Sequence, residues 1–121
     1  MPAKNLDRAI QLDGLSINMM FHVKDSKGQT LDVVPLNQLI SIVLSFKIDT
    51  KTNLKPLLLN KFDVSMPEHK HGMQTRVKIT KLSNQEFLIE GIKLHMPGAW
   101  QINVQAQYDS QSLQVAIPLK L

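Results

Sequence analysis

The 121-residue chain predicts an all-β protein, a single immunoglobulin-like antiparallel β-sandwich of about seven strands with residues 1–121 as one domain. Three observations carry that reading. Apolar and polar residues alternate in run after run, the period of a strand with one buried face. Clusters of Asp, Ser, Asn, Gly and Pro separate the runs at short intervals. No stretch has the pattern of a long helix. A closed barrel is the competing architecture. A core between two facing sheets suits strands that each carry their apolar side chains on one face.

The elements follow in order. Leu6 to Leu12 reads as a short helix or an ordered tail, so residues 1–12 stand apart from the predicted sandwich. Leu15, Ile17, Met19, Phe21 and Val23 alternate with Ser16, Asn18, Met20, His22 and Lys24 to form the first strand, ended by Asp25-Ser26-Lys27-Gly28. Ile40, Ile42, Leu44, Phe46 and Ile48 form the second, closed by a polar loop and Pro56. Leu58, Phe62 and Val64 belong to a third that stops at Pro67, because proline cannot donate to a ladder. Val77 and Ile79 are expected on the core face of a fourth, and Phe87 to Leu94 make a fifth after the Ser83-Asn84-Gln85-Glu86 turn. Trp100, Ile102, Val104, Ala106 and Tyr108 alternate with Gln and Asn in a sixth, Trp100 serving as a core anchor. Beyond Asp109-Ser110, Leu113 to Leu121 repeats the alternation in a seventh.

Composition narrows the function. Apolar residues make up 43% and charged residues 20%, which is globular rather than disordered composition. Fourteen Lys and Arg against 10 Asp and Glu give a net charge of +4, but the cations are scattered, and one Tyr and one Trp make a poor stacking platform for nucleic acid. With no cysteine, disulfides, zinc–thiolate sites and thiol nucleophiles are excluded within the chain. No run approaches the ~20 apolar residues of a membrane span, and the opening residues lack the apolar core of a signal peptide.

The chemistry concentrates in two segments. Met66-Pro67-Glu68-His69-Lys70-His71-Gly72-Met73 holds two histidines and two methionines, and His95-Met96-Pro97-Gly98 adds one of each. Imidazole nitrogen and thioether sulfur are the soft ligand set that suits copper, above all Cu(I). The candidate metal ligands are therefore Met66, His69, His71, Met73, His95 and Met96. If the first segment is extended, His69 and His71 project to the same side roughly 6–7 Å apart, with Lys70 opposite. Both segments close strands, so loop clustering at one end of a sandwich would bring them together. Each residue also has a plainer reading: solvated histidines on loops, methionines plugging the open end of the core. His22, beside Met20 on the polar phase of the first strand, is expected to face solvent.

Taken in order, these two segments resemble the YtkA-like and FixH-like domains, small extracytoplasmic β-sandwich domains of bacteria. The match lies at Met66, Pro67, His69, His71 and Gly72, then at Met96, Gly98 and Trp100, and covers the second half of the chain. The resemblance implies a periplasmic or otherwise extracytoplasmic location, often with a leader or membrane anchor that this chain does not show. It also implies copper handling or a role in assembling haem–copper respiratory oxidases. Met73 and His95 are not demanded by the family pattern and add to the copper reading.

Three functions compete on this sequence. The first is a copper-binding protein that passes its ion to a copper-accepting or oxidase-assembly partner. The second is a metal-free interaction module of the cell envelope. The third, an enzyme, is disfavoured, because no Gly-x-Ser-x-Gly, His-Glu-x-x-His or P-loop spacing occurs.

Overall fold

In the computed structural model, which describes residues 1–121, the alternating runs pair into two antiparallel sheets. The strands are β1 (Arg8–Leu12), β2 (Leu15–Lys24), β3 (Ile40–Thr50), β4 (Leu57–Met66), β5 (His71–Gly72), β6 (Lys78–Ser83), β7 (Glu86–Ile92), β8 (Ala99–Tyr108) and β9 (Gln111–Lys120). One sheet has the order β1-β2-β3-β7-β6 and the other β5-β4-β8-β9. Without β1 and β5, four strands in the order β2-β3-β7-β6 face three in the order β4-β8-β9. That is the seven-strand arrangement of the constant-type immunoglobulin sandwich.

Period-2 burial explains the pairing. Along β2 the residues Leu15, Ile17, Met19, Phe21 and Val23 are buried and their neighbours are not. β8 does the same from Trp100 to Tyr108. The 28 buried residues form one apolar cluster between the sheets, and no polar or charged residue is among them. A one-residue slip would turn each of these strands inside out, so the pattern fixes the register. It runs unbroken from Leu15↔Thr50 to Lys24↔Ser41 and from Ala99↔Lys120 to Tyr108↔Gln111.

Three elements differ from the sequence expectation. Residues 1–12 are neither a helix of the expected span nor a tail. Ala3–Leu6 makes one 3-10 turn, and Arg8–Leu12 is a strand that pairs with β2 through a two-residue turn at Asp13-Gly14. The Asp-Gly pair is a strong hairpin signal, and tertiary pairing outweighs the weak alternation before it. The fifth predicted strand ends at Ile92 rather than Leu94, so His95 and Met96 lie in the connection to β8. Finally, β6 is not a core strand, because all six of its residues are exposed.

Antiparallel pairing gathers the longer connections, 25–39, 67–77 and 93–98, at one end of the sandwich. The turns at 13–14, 84–85 and 109–110, with the loop 51–56, close the other.

Candidate functional site

Both His/Met segments lie at the loop end. The connection 93–98 is the hub there, because each neighbouring loop bonds to it or to the end of β7. The Asn37 amide donates to the Leu94 carbonyl at 2.7 Å. The Lys93 amide donates to the Met73 sulfur at 3.4 Å, and the Thr75 hydroxyl donates to the Gly91 carbonyl at 2.6 Å. Gly91 has φ +85, and a Cβ there would lie 2.0 Å from the Arg76 carbonyl oxygen, so only glycine lets the chain 73–77 close against β7.

The first segment is not extended, contrary to expectation. Pro67–His69 is a 3-10 turn, and Lys70 takes the left-handed conformation at φ 52 before His71 and Gly72 return to pair with Met66 and Ser65. Pro67 opens the turn because its missing N–H costs nothing at a first helical position. The two imidazoles still meet, with ring centroids 5.6 Å apart.

A row of rings results. His69 neighbours His71 at 5.6 Å, His71 neighbours His95 at 6.1 Å, and His95 meets Trp100 edge-on at 5.5 Å. The row runs from solvent to core, since His69 and His71 are exposed, His95 is half-buried and Trp100 is 1% exposed. The indole N–H of Trp100 donates to the Met96 carbonyl at 2.9 Å and fixes the ring against which His95 rests. The His71 Nδ1 lies 3.1 Å from the Gly72 carbonyl oxygen, which accepts from it in the Nδ1-protonated tautomer. The Nδ1 of His95 is shielded from solvent and has no hydrogen-bond partner, and it is the one buried side-chain nitrogen or oxygen in that state. Buried polar atoms are otherwise almost always satisfied.

The methionines divide. Met73 and Met96 are half-buried against the core. Met66 is 1% exposed and lies within the core, its methyl packed where Gly98 (φ +132) leaves room. A Cβ on residue 98 would come within 2.9 Å of that methyl, so Gly98 and Met66 are matched in shape. The structure therefore brings together His69, His71 and His95, ties the Met73 sulfur to the Lys93 amide and the Met96 carbonyl to the Trp100 indole, and places Met66 in the core as packing.

No three of the His, Cys, Asp and Glu side chains converge tightly enough to hold one ion by themselves. Two imidazoles sharing an ion at about 2.0 Å from each nitrogen have ring centres roughly 5–6.5 Å apart. Each neighbouring histidine pair in the row has such a spacing. Spacings of that size match two imidazoles on an ion of low coordination number better than a hard ion that needs many oxygens.

His22 is exposed as expected, far along the chain from this end cluster. With Met20 it floors the largest cleft, about 570 Å³, between β2, the N-terminal residues Pro2 to Lys4 and the loop residues Thr30 to Val33. What residue types alone did not signal is the anchoring role of Gly91, Thr75 and Asn37.

Fold and site together define an immunoglobulin-like sandwich that presents a histidine row at its loop end. Compared with models of protein families, with curated proteins and with solved structures, the chain matches none of them.

Proposed function

We propose that this is an extracytoplasmic, non-catalytic copper-binding protein that holds Cu(I) in its His/Met loops for storage or delivery. The observation that carries the reading is the contiguous row His69–His71–His95, with an unpaired ring nitrogen at its sheltered end. Unpaired buried nitrogen is costly unless something occupies it, and a soft monovalent ion accepts lone pairs without adding a large charge to desolvate. His69 and His71 carry most of the affinity at the exposed end. Met73 or Met96 selects Cu(I) over Zn(II), because thioether sulfur is a soft ligand. Exposure of two of the three imidazoles suits transfer, which needs ligands that a recipient can replace. The extracytoplasmic location and an oxidase-assembly or copper-accepting partner rest on the resemblance to YtkA-like and FixH-like domains at the two motifs.

The test is a Cu(I) titration under reducing conditions against a competing chelator, with the wild-type chain and with His69→Ala/His71→Ala. The reading expects one tight equivalent that the double variant loses. Affinity equal to that of an unrelated histidine-containing protein would sink it.

A further inference from the structure

Open sheets leave free edges, and this chain protects its own unevenly. Edge strands resist pairing with another chain by being short, by carrying charge or proline, or by bulging. β1 has five residues and starts at Arg8. β6 carries Lys78 and, opposite the buried Phe87, Lys81, and its register shifts between Lys81 and Ser83. β4 carries Lys61 at another register shift, and β5 caps its last residues. β9 differs from all three. It runs ten residues at the margin of the second sheet, its register with β8 is unbroken, and no charge falls between Gln111 and Leu119. Pro118 is its one protective residue before Lys120.

The ladder shows which backbone groups of β9 are free. The Gly98 amide donates to the Leu121 carbonyl at 2.8 Å, and the Leu121 amide donates to the Gly98 carbonyl at 3.0 Å. Bonded and non-bonded pairs alternate along an antiparallel ladder. In the register from Ala99↔Lys120 to Tyr108↔Gln111, the odd-numbered residues of β9 therefore bond to β8. Ser112, Gln114, Ala116, Pro118 and Lys120 turn their backbone groups to the open side. Pro118 sits where its missing N–H costs no bond to β8.

We propose that β9 pairs antiparallel with β9 of a second copy, about a two-fold axis at Gln114. In that register Gln114 faces Gln114 and, on either side, Ser112 faces Ala116, each pair exchanging two bonds. Pro118 falls opposite Ser110 in the turn before β9, past the last ladder pair, so it denies this partner nothing. Val115, on the inward phase but only partly covered, comes opposite Leu113 of the copy. Lys120, the one charge of the strand, comes opposite Tyr108, so the two Lys120 stand at opposite ends of the joint. Other registers do worse: centring on Ala116 sets Pro118 against Gln114 and loses bonds, and centring on Ser112 runs Ala116 past the start of β9. The strand is thus complementary to itself in one register, which makes a second copy its occupant, and closed two-fold dimers are the commonest soluble assemblies. Antiparallel pairing points the two loop ends in opposite directions and keeps the histidine rows apart. The joint needs no metal, and the inference stands apart from the copper reading.

The chain contains no cysteine, so single introduced thiols report the joint without background. With a metal chelator present, sedimentation of the full chain from micromolar to millimolar concentration is expected to show a monomer–dimer equilibrium that stops at two copies. Amide exchange at Ser112, Gln114 and Ala116 should slow as the dimer forms. Gln114→Cys should crosslink to itself under mild oxidation, because bonded antiparallel pairs stand about 5.5 Å apart at Cα, within disulfide reach. Ser112→Cys should crosslink with Ala116→Cys when the two are mixed, and far less with itself. Gln114→Lys sets two ammonium groups together at the axis and should weaken the dimer about fivefold or more. Because Gln114 is exposed, that variant should keep the wild-type monomer spectrum. A monomer at millimolar concentration, assembly beyond two copies, crosslinking centred on another residue, or a dimer indifferent to Gln114→Lys would each overturn the proposal.

Discussion

At the turn end of the sandwich three of the four connections are two residues long, and the sheets are tied by the reciprocal bonds between Asp13 and Gln111. At the loop end the connections 25–39, 67–77 and 93–98 are longer, and bonds from Asn37, Met73 and Thr75 converge on Gly91 to Leu94. The turn end places no histidine. All the paired imidazoles lie at the loop end, on a surface that rests on a rigid floor of Trp100 and Met66. The difference teaches how a small sandwich carries a site: short turns and core strands hold the fold, which leaves the long loops free to present chemistry.

Four substitutions would break or sharpen that contrast. Two large effects of similar size come first, one of them expected from Gly91→Ala, which adds a Cβ into the Arg76 carbonyl at a positive φ. We expect a loss of about 2–4 kcal/mol in chemical denaturation, and a midpoint equal to wild type would show that the 73–77 strap is not clamped. Met66→Ala should cost about 2–5 kcal/mol by leaving a cavity in the floor. A stability change near zero would instead return Met66 to the surface as a free ligand. Gln111→Ala removes both bonds to Asp13 and should cost about 1 kcal/mol, since the pair is exposed. A much larger loss, read by the same denaturation curve, would mean that the turn end carries more of the fold than its contacts suggest. Last, His69→Ala/His71→Ala should leave stability within about 0.5 kcal/mol. Unfolding of that variant would make these side chains structural and erase the division between floor and surface.

Much of the sandwich was legible because burial here follows a period of two with few interruptions. Strands such as Leu15–Lys24 and Ala99–Tyr108 write their buried face directly into the chain. Arg8–Leu12 was harder to read, since it is short and only half-buried and owes its pairing to β2. β6 misled in the opposite direction. Val77, just before it, does pack partly buried against the core, whereas Ile79 has the same phase and is 40% exposed, because phase cannot reveal how far the facing sheet extends. At the site, the residue types pointed to the right segments and their meeting place. The bend at Lys70 and the burial of Met66 depend on how β4 ends against β8, which no local pattern records.

The edge-on contact between His95 and Trp100 has a spectroscopic consequence. Trp100 is the only tryptophan in the chain, so excitation at the red edge, where Tyr108 does not absorb, draws all emission from one indole, 5.5 Å from the His95 ring. Whatever changes the electronic state of that imidazole alters the quantum yield of its neighbour. The fold thus carries an unlabelled optical reporter of its own loop end, readable in a cuvette at micromolar concentration.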